Sequence, residues 1–370
     1  MAERRSGWWA GVLLALFGLG GTAATAQTDD DLEHAMIRAY EAAGAPALGL
    51  VTGDASGQTA LLVRGRHSTR DAMPVAPDAR WHIGSNAKAM TATLALVLAE
   101  NGVLALDDPL TAFFPDLSLH PDLAEVPFAA LLEHRSGLGA NLSPGQMLDA
   151  RRSRLSLPEQ RADLAARWLA RAPAQAPGRF VYSNLGYIIA GAAMEARTGA
   201  DWFDLMQTHV FDPLDIHSAG LGAPAGDAPE GHRSFLGLML RPEPAESAEA
   251  DNPLVMGPAG TLHLSLTDHA RFLASHLPGG PLLSEVSRAR LFTTPDPEAE
   301  LPYAFGWARV QHPVGGKVWQ HAGSNTLWFS IARIDPETGR AAVVVANAAT
   351  ASVEAALRDL LDAALPPPPR

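Results

Sequence analysis

The placement of the strand-forming runs constrains this 370-residue chain more than any other feature. Two β-type segments, Pro46 to Val51 and Thr59 to Arg64, stand near one end, and three more, Ala304 to Gln311, Thr326 to Asp335 and Ala341 to Asn347, stand near the other. The turn-rich Gly53-Asp54-Ala55-Ser56-Gly57 between the first two suits a hairpin. Helical spacing dominates the middle, at Asn86 to Glu100, Phe128 to His134, Leu164 to Ala172, Leu185 to Arg197 and Leu266 to Leu277, with Gly102, Gly137 and Gly199 as stop signals. Ala219 to Gly260, rich in Pro, Gly and acids, reads as irregular apart from a small helical or strand piece around Ser234 to Leu240. Helices at Asp30 to Glu41 and Val353 to Ala364 lie outside the strands. Five short strands are too few and too dispersed for two sheets. The arrangement that buries their apolar faces is one antiparallel sheet assembled from both chain ends, with the terminal helices on a face and the helical insertion beside it. The expected fold class is therefore α+β. A single domain spans 27–365, with an α/β lobe at about 27–80 and 300–365 and a mostly helical lobe at about 81–299. The cleft between the lobes is the default site.

Residues 1–26 read as a secretory signal. Arg4 and Arg5 form a charged start, an apolar stretch runs from Trp8 to Leu19, and Ala24-Thr25-Ala26 resembles a cleavage site. The apolar run is shorter than the roughly 20 residues needed to span a bilayer. The expected product begins at Gln27, is periplasmic or secreted, and has no stable membrane insertion after cleavage. The absence of cysteine excludes disulfides, thiolate zinc sites, a cysteine nucleophile and a lipid-modified cysteine. A formal charge of -12 without any basic run argues against nucleic acid as a partner.

Arginine serves almost everywhere this chain needs a cation, yet Lys88 stands at the fourth position of Ser85-Asn86-Ala87-Lys88 and is one of only two lysines. The one task closed to arginine is losing its proton near neutral pH. Ser85 follows the strand-like Trp81-His82-Ile83-Gly84 and opens a strongly patterned helix, so Ser85 and Lys88 fall one turn apart on the same face. A serine alcohol becomes a nucleophile when a neighbouring base takes its proton, which a desolvated lysine can do directly or by holding a phenolate. The alternative is that Ser85 caps the helix. Tyr182-Ser183-Asn184 precedes a second helix; a tyrosine near a lysine can act as base, and Asn184 can hold the lysine or a substrate carbonyl, or else the two are a core tyrosine and a helix cap. His321-Ala322-Gly323-Ser324 forms a small-residue turn before the strand at Thr326, where the Ser324 N–H can complete an oxyanion hole with that of Ser85. His263 and His269 are too awkwardly spaced for one helical face to make a metal site.

In this order, Ser-x-x-Lys, Tyr-x-Asn and His-x-Gly resemble the serine β-lactamase and penicillin-binding-protein superfamily, and in particular its class C β-lactamase, D-aminopeptidase and esterase branch. Trp81 to Leu94, Leu131 to Leu138, Pro177-Gly178, Gly257 to Asp268 and Tyr303 to Trp307 support the resemblance, which covers about residues 30 to 362. It implies a composite α+β fold, an acylated Ser85, Lys88 and Tyr182 as the proton-handling pair, Asn184 as substrate and lysine contact, and backbone oxyanion donors at Ser85 and Ser324. It implies neither a metal nor an organic cofactor. The expected partner is a small-molecule or peptide substrate, with the oligomeric state left open. Where drug-hydrolysing relatives carry Lys-Thr-Gly, this chain has His321-Ala322-Gly323, without the ammonium and hydroxyl that help bind a substrate carboxylate. The resemblance thus points to an esterase or peptidase, with a β-lactamase or D-Ala-D-Ala carboxypeptidase as alternative, and a non-catalytic periplasmic β-lactam- or peptide-binding protein as a rival of another class. An imidazole with its ordinary pKa near 6.5 changes charge in the working range, so contact of His321 with an anionic substrate would raise KM from pH 6 to 8.

Overall fold

The computed structural model describes residues 29–366 apart from 236–238 and 313–315. The expected signal segment lies outside the described residues. In chain order the strands are β1 (Ala47–Asp54), β2 (Gly57–Gly65), β3 (Arg80–His82), β4 (Gly220–Leu221), β5 (Gly231–Phe235), β6 (Met239–Glu243), β7 (Leu262–Ser265), β8 (Tyr303–Ala304), β9 (Trp307–Gln311), β10 (Lys317–Ser324), β11 (Phe329–Asp335) and β12 (Arg340–Ala346). The longer helices are α1 (Asp29–Ala43), α2 (Ala87–Glu100), α3 (Pro144–Arg152), α4 (Leu157–Leu169), α5 (Asn184–Thr198), α6 (Leu266–Ala274) and α7 (Ala351–Ala364).

The main sheet is antiparallel and joins both chain ends in the order β2-β1-β12-β11-β10-β9-β8. Leu48 of β1 lies opposite Ala346 of β12, and the pairing continues to Asp54 opposite Arg340. Side chains on a strand alternate between faces, and both faces of these strands are apolar. Leu48, Leu50, Ile331 and Val344 pack with α1 and α7. Val51, Ala332, Val343 and Val345 share the other core with Leu266 and Ala270 of α6. Burying a Val or Leu side chain fully contributes roughly 1.5–3 kcal/mol, so strands that are apolar on both sides gain most at the centre of a covered sheet. Gly49 marks where α6 crosses β1, since a Cβ there would come within 2.6 Å of Leu266 Cδ1.

The sheet built from both ends agrees with the sequence expectation, with corrections of detail. Residues 317–324 form β10, whereas the sequence suggests that His321 to Ser324 are a turn ahead of the next strand. β3, β7 and β4 form a small antiparallel sheet in addition to the five strands expected, and β5 pairs with β6 as a hairpin where the sequence offers a small helical or strand piece around Ser234 to Leu240. Helix α3 has no counterpart in the sequence reading, although Ser143 and Gln146 form a capping box with Pro144 in the first turn. α4 starts at Leu157, seven residues before the expected Leu164, behind the capping box of Ser156 and Glu159. Finally, α6 packs on the main sheet although residues 266–274 fall in the span assigned to the helical lobe.

Two helices run through the middle of the helical lobe. Every residue of α2 from Ala87 to Leu98 is buried, as is every residue of α5 from Asn184 to Glu195. A helix apolar on all sides belongs inside. α4 packs on α5, where the buried Arg161 donates through Nε to both Glu195 carboxylate oxygens at 3.0 Å and through Nη2 to Asp201. The N-terminal ends of α2 and α5 converge beside β10, and this convergence creates the site.

Candidate active site

β3 ends at His82, Gly84 turns the chain in the left-handed region at φ +54°, and a single 3-10 turn over Gly84–Asn86 leads into α2. Ser85 is buried and makes no capping bond to either helical start, so the capping alternative is excluded. Its Oγ lies 3.0 Å from Lys88 Nζ. Lys88 is completely buried, and its Nζ also donates to Asn184 Oδ1 at 2.6 Å and to the Ala259 carbonyl at 2.5 Å. The rings of Tyr182 and Tyr187 stand 4.9 and 5.5 Å from the amine. None of the ion pairs among the described residues gives Lys88 a carboxylate, and burial pushes its pKa well below that of an ordinary lysine.

Proton counting fits a neutral amine. A neutral Nζ has two N–H bonds for the two pure acceptors, Asn184 Oδ1 and Ala259 O, and one lone pair for the hydroxyl proton of Ser85. Ser183 caps α5 through the Gly186 N–H, so Asn184 enters the site from the first position of that helix. Asn184 Nδ2 in turn donates to Asn141 Oδ1. Tyr182, half-buried just ahead of α5, hydrogen-bonds Ser85, while burial raises its pKa above the ordinary tyrosine value. A phenol with a raised pKa keeps its proton, so of the two routes the sequence leaves open, Lys88 as base or a Tyr182 phenolate, this environment favours the first.

The other wall is β10. A Cβ on Gly323 would lie 2.0 Å from the Ile83 carbonyl and 2.7 Å from the Ser85 nitrogen, and a Cβ on Gly84 would lie 2.3 Å from the Ser324 nitrogen. Only glycine at both positions lets the two backbones meet, and their meeting brings the Ser85 and Ser324 amides to one spot. Ser85, Asn184 and Ser324 line a cavity of about 190 Å³, together with Asn141 and the apolar Leu142, Met147 and Met256. Among the described residues no charged side chain lines it.

His321 departs from expectation. It is buried in β10 with its ring 6.2 Å from that of Tyr182 and 5.9 Å from that of Tyr303, and it does not line the cavity. Burial pushes its pKa down to about 3. It stands as a neutral wall behind Tyr182, and an imidazole in that state offers an anionic substrate no charge change near neutrality. The residue that supports Tyr182 is His134, which the sequence shows only as one letter of a longer stretch. His134 holds a left-handed φ of 59°, accepts the Ser183 N–H on Nδ1 at 3.0 Å and the Val181 N–H on its carbonyl at 2.8 Å, and lays its ring 4.3 Å from that of Tyr182. Tyr303, Asn141 and Ala259 were likewise invisible as site residues, because nothing in their local pattern separates them from core or loop positions. His263 and His269 sit apart from the site, the first bonded to the Gly222 carbonyl and the second buried in α6.

The family model described as Beta-lactamase matches residues 30–365, nearly the whole described chain. The chain belongs to the Beta-lactamase family. Penicillin-binding protein 4 of Amycolatopsis lactamdurans is 28% identical over 298 residues, which is 75% of this chain and 74% of that protein. Among solved structures, SurE with D-Leu superposes with a TM-score of 0.72 at 26% identity, covering 91% of this chain and 75% of SurE. The class C β-lactamase of Rhodobacter sphaeroides gives 0.72 at 20% identity over 90% of this chain and 98% of its own, a likeness of fold. The Beta-lactamase family assignment agrees with the α+β architecture, its sheet joined from both chain ends and the Ser85-x-x-Lys88 turn beside it.

Proposed function

We propose that this member of the Beta-lactamase family is a serine hydrolase that cleaves an ester or amide bond through an acyl-enzyme at Ser85. The observation that carries the reading is the buried, carboxylate-free Lys88 amine 3.0 Å from Ser85 Oγ. Lys88 takes the hydroxyl proton as Oγ attacks the substrate carbonyl carbon, and the backbone N–H groups of Ser85 and Ser324 receive the negative oxygen that forms. The Tyr182 O–H, bonded to Ser85, then donates a proton to the departing oxygen or nitrogen and recovers one from the Lys88 ammonium. Water attacks the acyl group by the reverse route, leaving acid product and free Ser85.

The substrate class follows from the cavity. Apolar Leu142, Met147 and Met256 with the Asn141 amide suit an uncharged acyl group, and among the described residues no cation lines the cavity to meet a carboxylate. The structure of SurE with D-Leu supports a D-amino acyl group of this kind. The reading therefore favours an esterase or peptidase over a true β-lactamase or D-Ala-D-Ala carboxypeptidase. The segment at residues 1–26 supports secretion, after which a small molecule or peptide reaches the site.

The test combines Ser85-directed labelling with a substrate comparison. A fluorophosphonate should label the wild type and not Ser85→Ala, and p-nitrophenyl acyl esters should turn over faster than nitrocefin. Equal labelling of both proteins would sink the acyl-enzyme. Rapid nitrocefin hydrolysis would overturn the substrate preference alone, and a stable β-lactam adduct without turnover of any ester would favour a binding protein.

A further inference from the structure

The turn that carries Ser85 and the turn that follows Ser324 are tied to one buried carboxylate, that of Asp251, which neither touches the cavity nor belongs to the Ser85–Lys88–Tyr182 group. Asp251 Oδ2 accepts from His82 Nε2 at 2.8 Å, and Oδ1 accepts from Asn325 Nδ2 at 3.0 Å and from the Asn252 N–H at 2.7 Å. His82 and Asp251 are 1% and 9% exposed, so water replaces none of these bonds at low cost.

From His82 the connection runs to the nucleophile. The Gly84 N–H lies 3.1 Å from His82 Nδ1, and a backbone N–H can only donate. Nδ1 therefore presents its lone pair, the imidazole is the tautomer protonated on Nε2, and that N–H points at Asp251. Gly84, held in this way, precedes Ser85. From Asn325 the connection runs to the other oxyanion donor. Asn325 Oδ1 accepts the N–H groups of Leu327 and Trp328 at 3.1 Å each. Ser324 Oγ donates to the Trp328 carbonyl at 2.7 Å and accepts the Thr326 N–H at 2.9 Å. Thr326 sits at φ +78°, strained for a β-branched residue, so this turn holds its shape only because its neighbours fasten it. The Trp328 ring also stacks on His82 at 5.5 Å, closing the loop between the two branches. On the outer side Arg151 of α3 donates to the Ala248 and Asp251 carbonyls, anchoring the segment that delivers the carboxylate.

We infer that Asp251 is a positioning residue for both halves of the oxyanion hole, acting on Ser85 through His82 and Gly84 and on Ser324 through Asn325. The inference rests on the hydrolase reading given above. It also assigns a role to part of the irregular stretch at 219–260, whose Asp251 reaches back 169 positions to meet His82.

Two substitutions at position 82 separate positioning from bulk stability. In His82→Gln the side-chain amide reaches the Nε2 position, keeps a donor for Asp251 and loses the acceptor for Gly84. In His82→Asn the amide oxygen takes the Nδ1 position, keeps the acceptor for Gly84 and leaves Asp251 Oδ2 without its His82 partner. The expected result is that each variant loses kcat on a p-nitrophenyl ester about 10- to 100-fold per folded molecule with KM nearly unchanged, because each cuts the route from Asp251 to Gly84 at one of its two bonds, while His82→Gln, which keeps the bond to Asp251, melts at the higher temperature of the two. Wild-type kcat per folded molecule in either variant would refute positioning. Nitrogen-15 NMR of histidine-labelled wild type supplies a measurement that needs no variant and no turnover. It should find His82 protonated on Nε2; a proton on Nδ1 would overturn the inference. If ester hydrolysis persists in Ser85→Ala, the hydrolase reading fails separately, because the tautomer is read independently of activity.

Discussion

Replacing Gly323 with alanine gives the most direct measure of how closely the nucleophile turn and β10 must approach. The added Cβ would stand 2.0 Å from the Ile83 carbonyl oxygen and 2.7 Å from the Ser85 nitrogen, where real Cβ contacts are essentially never under 3.0 Å. Both obstructing atoms are backbone, so no side chain can swing aside. β10 and the Ser85 turn must therefore separate by at least about 1 Å, a displacement of a size that costs on the order of 10²-fold in rate when it falls between reacting groups. Stability should fall by about 1–3 kcal/mol, as for other overpacked contacts. Gly139 provides the control, since its Cβ would meet nothing closer than Trp168 at 3.8 Å. Steady-state hydrolysis of a p-nitrophenyl ester, the rate of fluorophosphonate labelling and a thermal melt on each protein complete the comparison. Gly323→Ala should lose about two orders of magnitude in kcat and in labelling rate while Gly139→Ala stays near wild type. A Gly323→Ala protein that is destabilised yet labels and turns over at the wild-type rate would show that the Ser85 and Ser324 amides do not act as a matched pair.

Lys88→Arg should fold but lose on the order of 10³-fold in acylation, because a guanidinium keeps its proton; single-turnover kinetics on the ester would reveal it. In the wild type, kcat/KM should rise with pH as Lys88 loses its proton and level off well below 10.5; a profile climbing all the way to 10.5 would contradict the burial effect. Stability has the same sign: the folded pKa is depressed, the unfolded chain binds more protons, and this contribution grows as pH rises from the folded value toward 10.5, which pH-dependent denaturant melts can follow. His321, neutral above about 3, should produce no step in KM between pH 6 and 8 for either neutral or anionic substrates, and a step that vanishes in His321→Gln would restore it to substrate binding. Arg161→Met leaves Glu195 and Asp201 without their buried partner and should cost about 3–5 kcal/mol in chemical denaturation with kcat per folded molecule unchanged.

The parts legible in the sequence are those where one residue type had a single physical reason to be there. The apolar runs of β1 and β12 can be satisfied only inside a sheet covered on both faces, so the joining of the two ends follows from them. Lys88 stands out because the chain uses arginine for nearly every other cation. β10 is hard to read because Gln320 and His321 are polar but buried, while Gly323 is chosen for a close backbone approach rather than for strand preference. Alternation of hydrophobic and polar residues cannot survive such demands. His321 shows the same limit for charge: its ordinary titration is lost on burial, which no neighbour in sequence announces. Asp251, His82 and Asn325 are unremarkable letters until the fold brings them together.

The sheet made from both ends also governs when the protein can fold. Ala47 donates its N–H to the side-chain oxygen of Asn347 across 300 positions, and β1 finds its inner neighbour only in β12. Until that last strand has emerged, the hairpin of β1 and β2 has an open apolar edge and nothing to close it. Contacts of such long sequence separation slow folding and prolong exposure to aggregation. A chain of this topology gains from being kept unfolded until synthesis is complete, which is the condition in which a polypeptide is threaded across a membrane.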